Sequence, residues 1–124
     1  MSNAIAGELT DVAIEVARDD VLAVTVFSDH GISHEYVSDS FDEETREVEM
    51  DSLRRPLQNV QKSLGTLADV NPMGGGHQGS YHFYDDIIHL HIPVEEEMGV
   101  VISLAPESEH YEDVFSKCLA VVFE

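Results

Sequence analysis

The residues of this chain whose types and spacing could support chemistry are its histidines, which number seven among 124 residues. Three of them, His82, His89 and His91, alternate with apolar residues in the segment 80–92, SYHFYDDIIHLHI. If the two central aspartates form a tight turn, His82 pairs with His89, and the three imidazoles share one face of a β-hairpin. The side chains of the opposite face are expected in the core: Tyr81, Phe83, Ile88, Leu90 and Ile92.

This histidine spacing is compatible with a metal site. Opposed side chains in a hairpin lie about 5 Å apart at Cβ, and diagonal ones about 7 to 8 Å, which permits zinc or nickel ligation by imidazole. His77, in the preceding glycine-rich loop, would then be a fourth ligand. The same alternation is typical of a strand with one face in solvent or against a partner, and we adopt this interpretation. A metal site formed by His82, His89, His91 and His77, and a catalytic base, are the alternatives.

No motif in the sequence indicates an enzyme. The loop 73–79, MGGGHQG, lacks the lysine and the following helix of a phosphate-binding loop, and we interpret it as a connection. Cys118, the only cysteine, falls on the apolar face of the last predicted helix, where a buried and unreactive thiol is expected. The adjacent Asp85 and Asp86 suit a turn rather than a flanking acid and base. We therefore expect neither catalytic activity nor a cofactor.

The charge of the chain restricts its partners. Asp and Glu number 25 against 6 Lys and Arg, which gives a formal net charge of -19, and the acidic residues are spread along the whole sequence. Proteins that bind nucleic acid or anionic lipid need clustered basic residues, so neither partner is expected. A distributed acidic surface with scarce lysine resembles the proteins of salt-in halophilic archaea, and an ordinary acidic protein of a mesophile is the alternative. With no apolar run long enough to span a membrane and no signal-peptide pattern, we expect a cytoplasmic protein.

Hydrophobic periodicity defines the elements that must position these residues. Apolar residues at helical spacing predict three helices, and β-branched or alternating residues predict five strands. Gly31 is expected in a tight turn at positive φ, Pro56 in the first turn of the second helix, and the acidic segment 38–50 as a connection. The predicted helices cover 4–18, about 53–69 and 111–122, and the predicted strands cover 21–27, 32–37, 80–84, 87–92 and 100–104.

The order of helix, hairpin, long central helix, three-stranded meander and closing helix resembles the roadblock/LC7 domain. The matching segments are VLAVTVFSDHGISHEYV for the hairpin, SLRRPLQNVQKSLGTLADV for the central helix, and SYHFYDDIIHLHIP with GVVISLA for the meander. The resemblance covers nearly the whole chain and implies a single α+β domain over 1–124. Helices would pack on the faces of a central sheet of five strands, mixed or antiparallel. A PAS or GAF sensor domain, which shares much of this order, is the structural alternative.

The resemblance also implies a non-enzymatic regulatory or adaptor domain. Two protomers would meet through the central helix and the adjoining sheet edge, strand 80–84, and present a platform to a small GTPase or another signalling protein. Two arginines beside the apolar stripe of the central helix, Arg54 and Arg55, could orient an acidic partner. The stripe could equally belong to an ordinary core, and a PAS or GAF sensor would use the histidine hairpin to line a small-molecule or metal pocket. The expected interface residues of the homodimer are Leu53, Arg54, Leu57, Val60 and Leu64.

Overall fold

The computed structural model describes residues 2–39, 50–70 and 73–123, and the predicted connection over 38–50 lies almost entirely outside them. Within these ranges the elements follow the predicted order of α-β-β-α-β-β-β-α. They are α1 (Ser2–Ala17), a 3-10 turn (Arg18–Asp20), β1 (Val21–Ser28), β2 (Gly31–Val37), α2 (Met50–Val70), β3 (Ser80–Phe83), β4 (Ile88–Glu95), β5 (Met98–Leu104) and α3 (Tyr111–Phe123).

The strands form one five-stranded sheet in the order β2-β1-β5-β4-β3. Every neighbouring pair is antiparallel, so the predicted α+β fold is confirmed and the sheet is antiparallel rather than mixed. The central strands carry the β-branched, nearly continuous apolar sequences, because strands covered on both faces must be apolar on both. All seven residues of β5 are buried. The edges of the sheet are β2 and β3.

Both hairpins have the turns that the sequence predicts. Gly31 follows the two-residue connection between β1 and β2 at a φ of 147°, a conformation that side-chain-bearing residues rarely adopt. In the second hairpin, His82 pairs with His89 and Ser80 with His91, as predicted. The backbone N–H of the residue before the two aspartates, Tyr84, closes this turn with a 2.9 Å hydrogen bond to the carbonyl of Ile87.

The hydrophobic core lies between one face of the sheet and the helices α1 and α3. Leu9 and Ala13 from α1 meet Val114 and Cys118 from α3, and all four are fully buried. Burial raises the pKa of the Cys118 thiol to about 12, so the predicted buried cysteine stays protonated. No helix in the described ranges is long and apolar enough to cross a membrane.

Two details of the predicted packing were wrong. The helix α2 begins at Met50, so Pro56 lies beyond its first turn, where its missing N–H leaves out one helical hydrogen bond. Tyr81 and Phe83 point to the core face of the sheet but are 40% and 61% exposed. The reason is that β3 is an edge strand, which α3 covers only in part.

Candidate functional site

The helix α2 rests on the other face of the sheet through a polar side chain. Gln61 is only 5% exposed, and it is the one buried side chain of α2 among those that the structure describes. Its Nε2 donates to the carbonyls of Glu95 at 2.8 Å and Met98 at 3.0 Å, with a longer contact of 3.2 Å to the carbonyl of Glu96. The amide of Gln61 therefore fixes the helix to the turn between β4 and β5.

The other end of the same amide reaches His91 on β4. The His91 Nε2 lies 2.9 Å from the Gln61 Oε1. Because the amide nitrogen already donates to carbonyls, Oε1 is the acceptor, and the proton of the neutral imidazole is placed on Nε2. The ring of His91 also packs at right angles to Phe27, with centroids 5.4 Å apart. His91 is thus engaged in the packing beneath α2.

Gly99 on β5 makes this arrangement possible. A Cβ at this position would overlap the Gln61 Oε1 and would lie 2.6 Å from the Phe27 Cζ. Any larger residue would push both side chains away from the sheet. Sequence reasoning missed both Gly99 and Gln61, because a glycine in a strand and a glutamine beside an apolar stripe carry no signal of their joint packing.

The beginning of α2 is held at the turn between β1 and β2. The Arg54 Nη1 donates a 2.9 Å hydrogen bond to the carbonyl of Asp29, and the Gln58 Nε2 donates to the Asp29 Oδ1 at 3.2 Å. Arg54 was predicted to lie at the interface and to orient a partner. In the single chain its guanidinium binds the adjacent hairpin turn.

The apolar stripe of α2 is not part of the core. Leu53 and Val60 are 42% and 38% exposed, and Leu57 and Leu64 are half-buried. None of the four belongs to the buried hydrophobic cluster between the sheet and the other two helices. The interpretation of this stripe as ordinary core is therefore wrong for the single chain, and the predicted interface residues form an apolar surface along α2.

This surface continues onto the histidine face of the hairpin. Between them lies a cavity of about 40 Å³, which is close to the volume of one water molecule and too small for an organic ligand. The stripe and the histidines therefore form one surface, which we call the α2–hairpin surface. The cavity is lined by Leu57, Val60, His82, Tyr84, His89, His91 and Val101.

Two histidines of this surface, His89 and His91, are held in their neutral form. Burial, followed by the nearby His82, lowers the pKa of His89 from 6.5 to about 4. Burial and then the neighbouring histidines His82, His77 and His89 lower the pKa of His91 to about 4 as well. The pKa of His77 is also lowered, mainly by burial. Neutral imidazoles at an apolar contact add no charge, which suits a surface that is covered by another molecule.

The same histidines do not converge on a metal position. The rings of His82 and His91 have centroids 6.2 Å apart, and the His82 Nε2 lies 2.9 Å from the Ser80 Oγ. His89 packs instead against the ring of Tyr84, at a centroid distance of 5.2 Å. Across residues 2–39, 50–70 and 73–123, no group of three or more His, Cys, Asp or Glu side chains is arranged to hold a metal ion.

A wider cleft of about 830 Å³ lies on the opposite side of α2, next to the turn between β4 and β5. Arg54, Arg55 and Lys62 line it, and they face the carboxylates of Glu95 and Glu97 among others. Charges of both signs therefore meet in this cleft, and nothing in its lining selects an anion or a cation.

This combination of sheet order and helix placement defines a roadblock/LC7 fold. The chain is similar to MglB of Myxococcus xanthus, with a TM-score of 0.66 and 12% identity over 96% of this chain and 85% of that one. It is also similar to the gliding protein MglB of Thermus thermophilus, with a TM-score of 0.62 and 12% identity over 96% and 91% of the two chains. A roadblock/LC7 domain of Streptomyces avermitilis gives a TM-score of 0.57 and 14% identity over 97% and 90%.

Comparison with protein-family models assigns the chain to one sequence family within this fold. Residues 7–123 match the family model described as a domain of unknown function, DUF7522, and the chain belongs to this family. No curated protein matches the sequence. At 12 to 14% identity, the solved structures share a fold with this chain, and the fold expected from the order of its elements is confirmed.

Proposed function

We propose that this protein is a non-enzymatic regulatory or adaptor domain that acts as a homodimer. The α2–hairpin surface forms the contact between the two copies, and the β3 edges adjoin. The paired surface then serves as the platform for a protein partner, a small GTPase or another signalling protein. The proposed setting is the cytoplasm of a halophilic archaeon, where molar salt screens the repulsion between two chains of net charge -19.

One observation carries the proposal. The helix α2 uses Gln61, a polar residue, to dock on its own sheet, and leaves its leucine and valine stripe outside the core. Leaving several large apolar side chains in water has a cost of about 25 cal/mol for each square ångström, and a second copy of the stripe removes that cost. A twofold contact also needs only one self-complementary patch.

The similar proteins add support from their assemblies. One solved structure is described as MglB with a tetrameric arrangement, and this chain matches it with a TM-score of 0.62 at 12% identity. That protein therefore forms contacts between copies of a comparable fold. For the present chain we expect the smaller, twofold assembly, because a single apolar stripe on α2 supplies one such contact.

The experiment that tests the proposal is light scattering of the full chain in molar KCl at a protein concentration of about 100 μM. At this protein concentration, a dimer with a standard-sized interface and a micromolar dissociation constant is almost fully formed. The unchanged protein should have the mass of two chains. The variant Leu57→Asp should have the mass of one, because it places an uncompensated carboxylate in a dry apolar contact.

The matched control is Asn59→Asp, which adds the same charge to an exposed position of the same helix, away from the stripe. It should remain a dimer. A monomeric unchanged protein, or a dimer that survives Leu57→Asp, would contradict the proposed interface.

A further inference from the structure

A second exposed apolar surface lies on the opposite face of the sheet, at the β3 edge. We call it the aromatic surface, and it consists of Tyr81, Phe83, Tyr111 and Phe115. Tyr81 packs against Tyr111 and Phe115, with ring centroids 5.4 and 4.6 Å apart. Phe83 meets Tyr111 edge to face at 5.3 Å. The four rings thus form one continuous cluster that joins the edge strand to α3.

The cluster is held rigidly but left open. Gly79, just before β3, lets the ring of Phe115 approach the backbone, since a Cβ there would lie 2.5 Å from the Phe115 Cζ. Phe83 is nevertheless 61% exposed, and Tyr81 is 40% exposed. Rigid aromatic side chains that remain in solvent are typical anchors of protein interfaces, because they lose little conformational entropy on binding. Alternation along β3 separates this surface from the α2–hairpin surface, which lies on the other face.

The exposed carboxylate of Glu112 adjoins the aromatic surface. Burial and then the neighbouring carboxylate of Glu112 raise the pKa of the Tyr81 phenol. Glu112 is itself exposed, in the first turn of α3 and next to Tyr111 in the sequence. A partner that covers the rings is therefore matched in charge when it places a positive group beside Glu112.

We propose that the aromatic surface docks a cationic amphipathic segment of a partner protein, as a site separate from the dimer contact. Apolar side chains of that segment pack on Phe83 and Tyr81. Its Lys or Arg side chains reach Glu112 and the faces of the tyrosine rings. A second copy of this chain is disfavoured as the occupant, because a twofold contact on the rings would bring together two Glu112 carboxylates, whereas a cationic segment would pair with Glu112.

The probe is a blocked helical peptide of about 14 residues that contains only leucine and lysine, with leucine at i, i+3, i+4 and i+7. A scrambled peptide of identical composition lacks the apolar face. We compare the two peptides by titration calorimetry with the full chain in about 1 M KCl. At this salt concentration, screening limits nonspecific attraction between the acidic chain and the cationic peptides to about 3 Å. We expect the amphipathic peptide to bind at least about tenfold more tightly than the scrambled one.

The variants locate the binding. Phe83→Ser should abolish the tenfold difference, and Phe83→Leu should retain most of it. The matched control is Leu67→Ser on α2, because Leu67 is 62% exposed, close to the value for Phe83. This control variant should bind the peptide as tightly as the unchanged protein. Glu112→Lys changes only an exposed rim charge and should weaken binding about threefold, which tests the site even if Phe83→Ser does not fold.

Several outcomes would overturn the inference. Equal binding of the two peptides, or a loss with Leu67→Ser as large as with Phe83→Ser, would show that attraction is not specific to the aromatic surface. A drop in particle mass with Phe83→Ser in light scattering would show that a second copy covers the rings. Leu57→Asp should leave peptide binding intact, so a failure of the proposed dimer and a failure of this site are distinguished.

Discussion

The imidazole of His91 and the amide of Gln61 meet at 2.9 Å across the interface between β4 and α2. This contact joins an element of the central sheet to the helix that carries the exposed apolar stripe. Both side chains are buried, so the hydrogen bond is shielded from water. The position of the α2–hairpin surface therefore depends on a polar interaction rather than on apolar packing beneath the helix.

Replacement of Gln61 by leucine should strongly destabilise the fold. The variant retains the approximate volume but leaves the His91 N–H and the carbonyl of Met98 without their partner. We expect a loss of about 3 kcal/mol in the free energy of unfolding, measured by urea denaturation in molar salt at fixed protein concentration. The control Gln58→Leu removes longer bonds at a more exposed site and should have an effect below about 1 kcal/mol. Equal effects of the two variants would contradict the role of Gln61.

The protein should lose stability as the pH falls below 6.5. His89 and His91 have folded pKa values of about 4, below the unfolded value of 6.5, so the unfolded chain binds more protons between these limits. Their contribution is fully present above pH 6.5 and is lost as the pH approaches 4. From these shifts we expect a loss of about 2 kcal/mol for each histidine by pH 5.

The measurement for this pH effect is a series of denaturation curves between about pH 7 and 5 in molar KCl, which limits the contribution of carboxylate repulsion. The variant His89→Gln should remove about half of the slope. A flat profile for the unchanged protein would show that the two imidazoles are accessible to protons in the folded state.

Two glycine substitutions should have opposite effects. Gly99→Ala places a methyl group against Gln61 and Phe27, and we expect a loss of about 1 to 3 kcal/mol in thermal or urea denaturation. Gly65→Ala, in the interior of α2, meets no atom within 4 Å and should stabilise the protein by about 0.5 to 1 kcal/mol through helix propensity. Destabilisation by both variants to the same extent would contradict the close packing at Gly99.

The stability should also depend strongly on salt. With 25 acidic and 6 basic residues, repulsion within the folded chain acts over about 10 Å in 0.1 M salt and about 3 Å in 1 M salt. We expect cooperative melting by circular dichroism to be lost below about 0.2 M KCl and restored at molar concentration. Sucrose, which adds no ions, serves as the control and should not restore it in full. A melting temperature that is the same in dilute and molar KCl would argue against a halophilic origin.

The sequence predicted those features that depend on local patterns. The turn residues Asp85 and Asp86 fixed the register of the second hairpin, because a two-residue connection leaves only one pairing of the strands. The stripe of α2 was visible from its spacing, but its exposure was not, since exposure depends on which side of the helix the sheet occupies. That orientation follows from Gln61, His91 and Gly99, three residues far apart in the sequence whose contacts exist only in the folded chain.

The exposure of Tyr81 and Phe83 has a similar explanation. Alternation along β3 correctly predicted the face to which these rings point, but not how far the covering helices extend across the sheet. How much of the sheet the helices cover depends on how all the helices and strands of the chain pack together. The strand next to it, β4, has the same pattern and is buried because it lies inside the sheet.

The sheet order has a consequence for the growth of larger assemblies. The two outer strands differ, since β2 has seven residues with the exposed Glu35 and β3 has four residues with an aromatic flank. If β3 of one copy bound β2 of the next, each addition would leave a free strand, and the chains would polymerise without limit. If β3 binds β3, the sheet becomes ten strands long and ends in two β2 strands, where like charges oppose each other. The choice of strand thus decides between a filament and a particle of finite size.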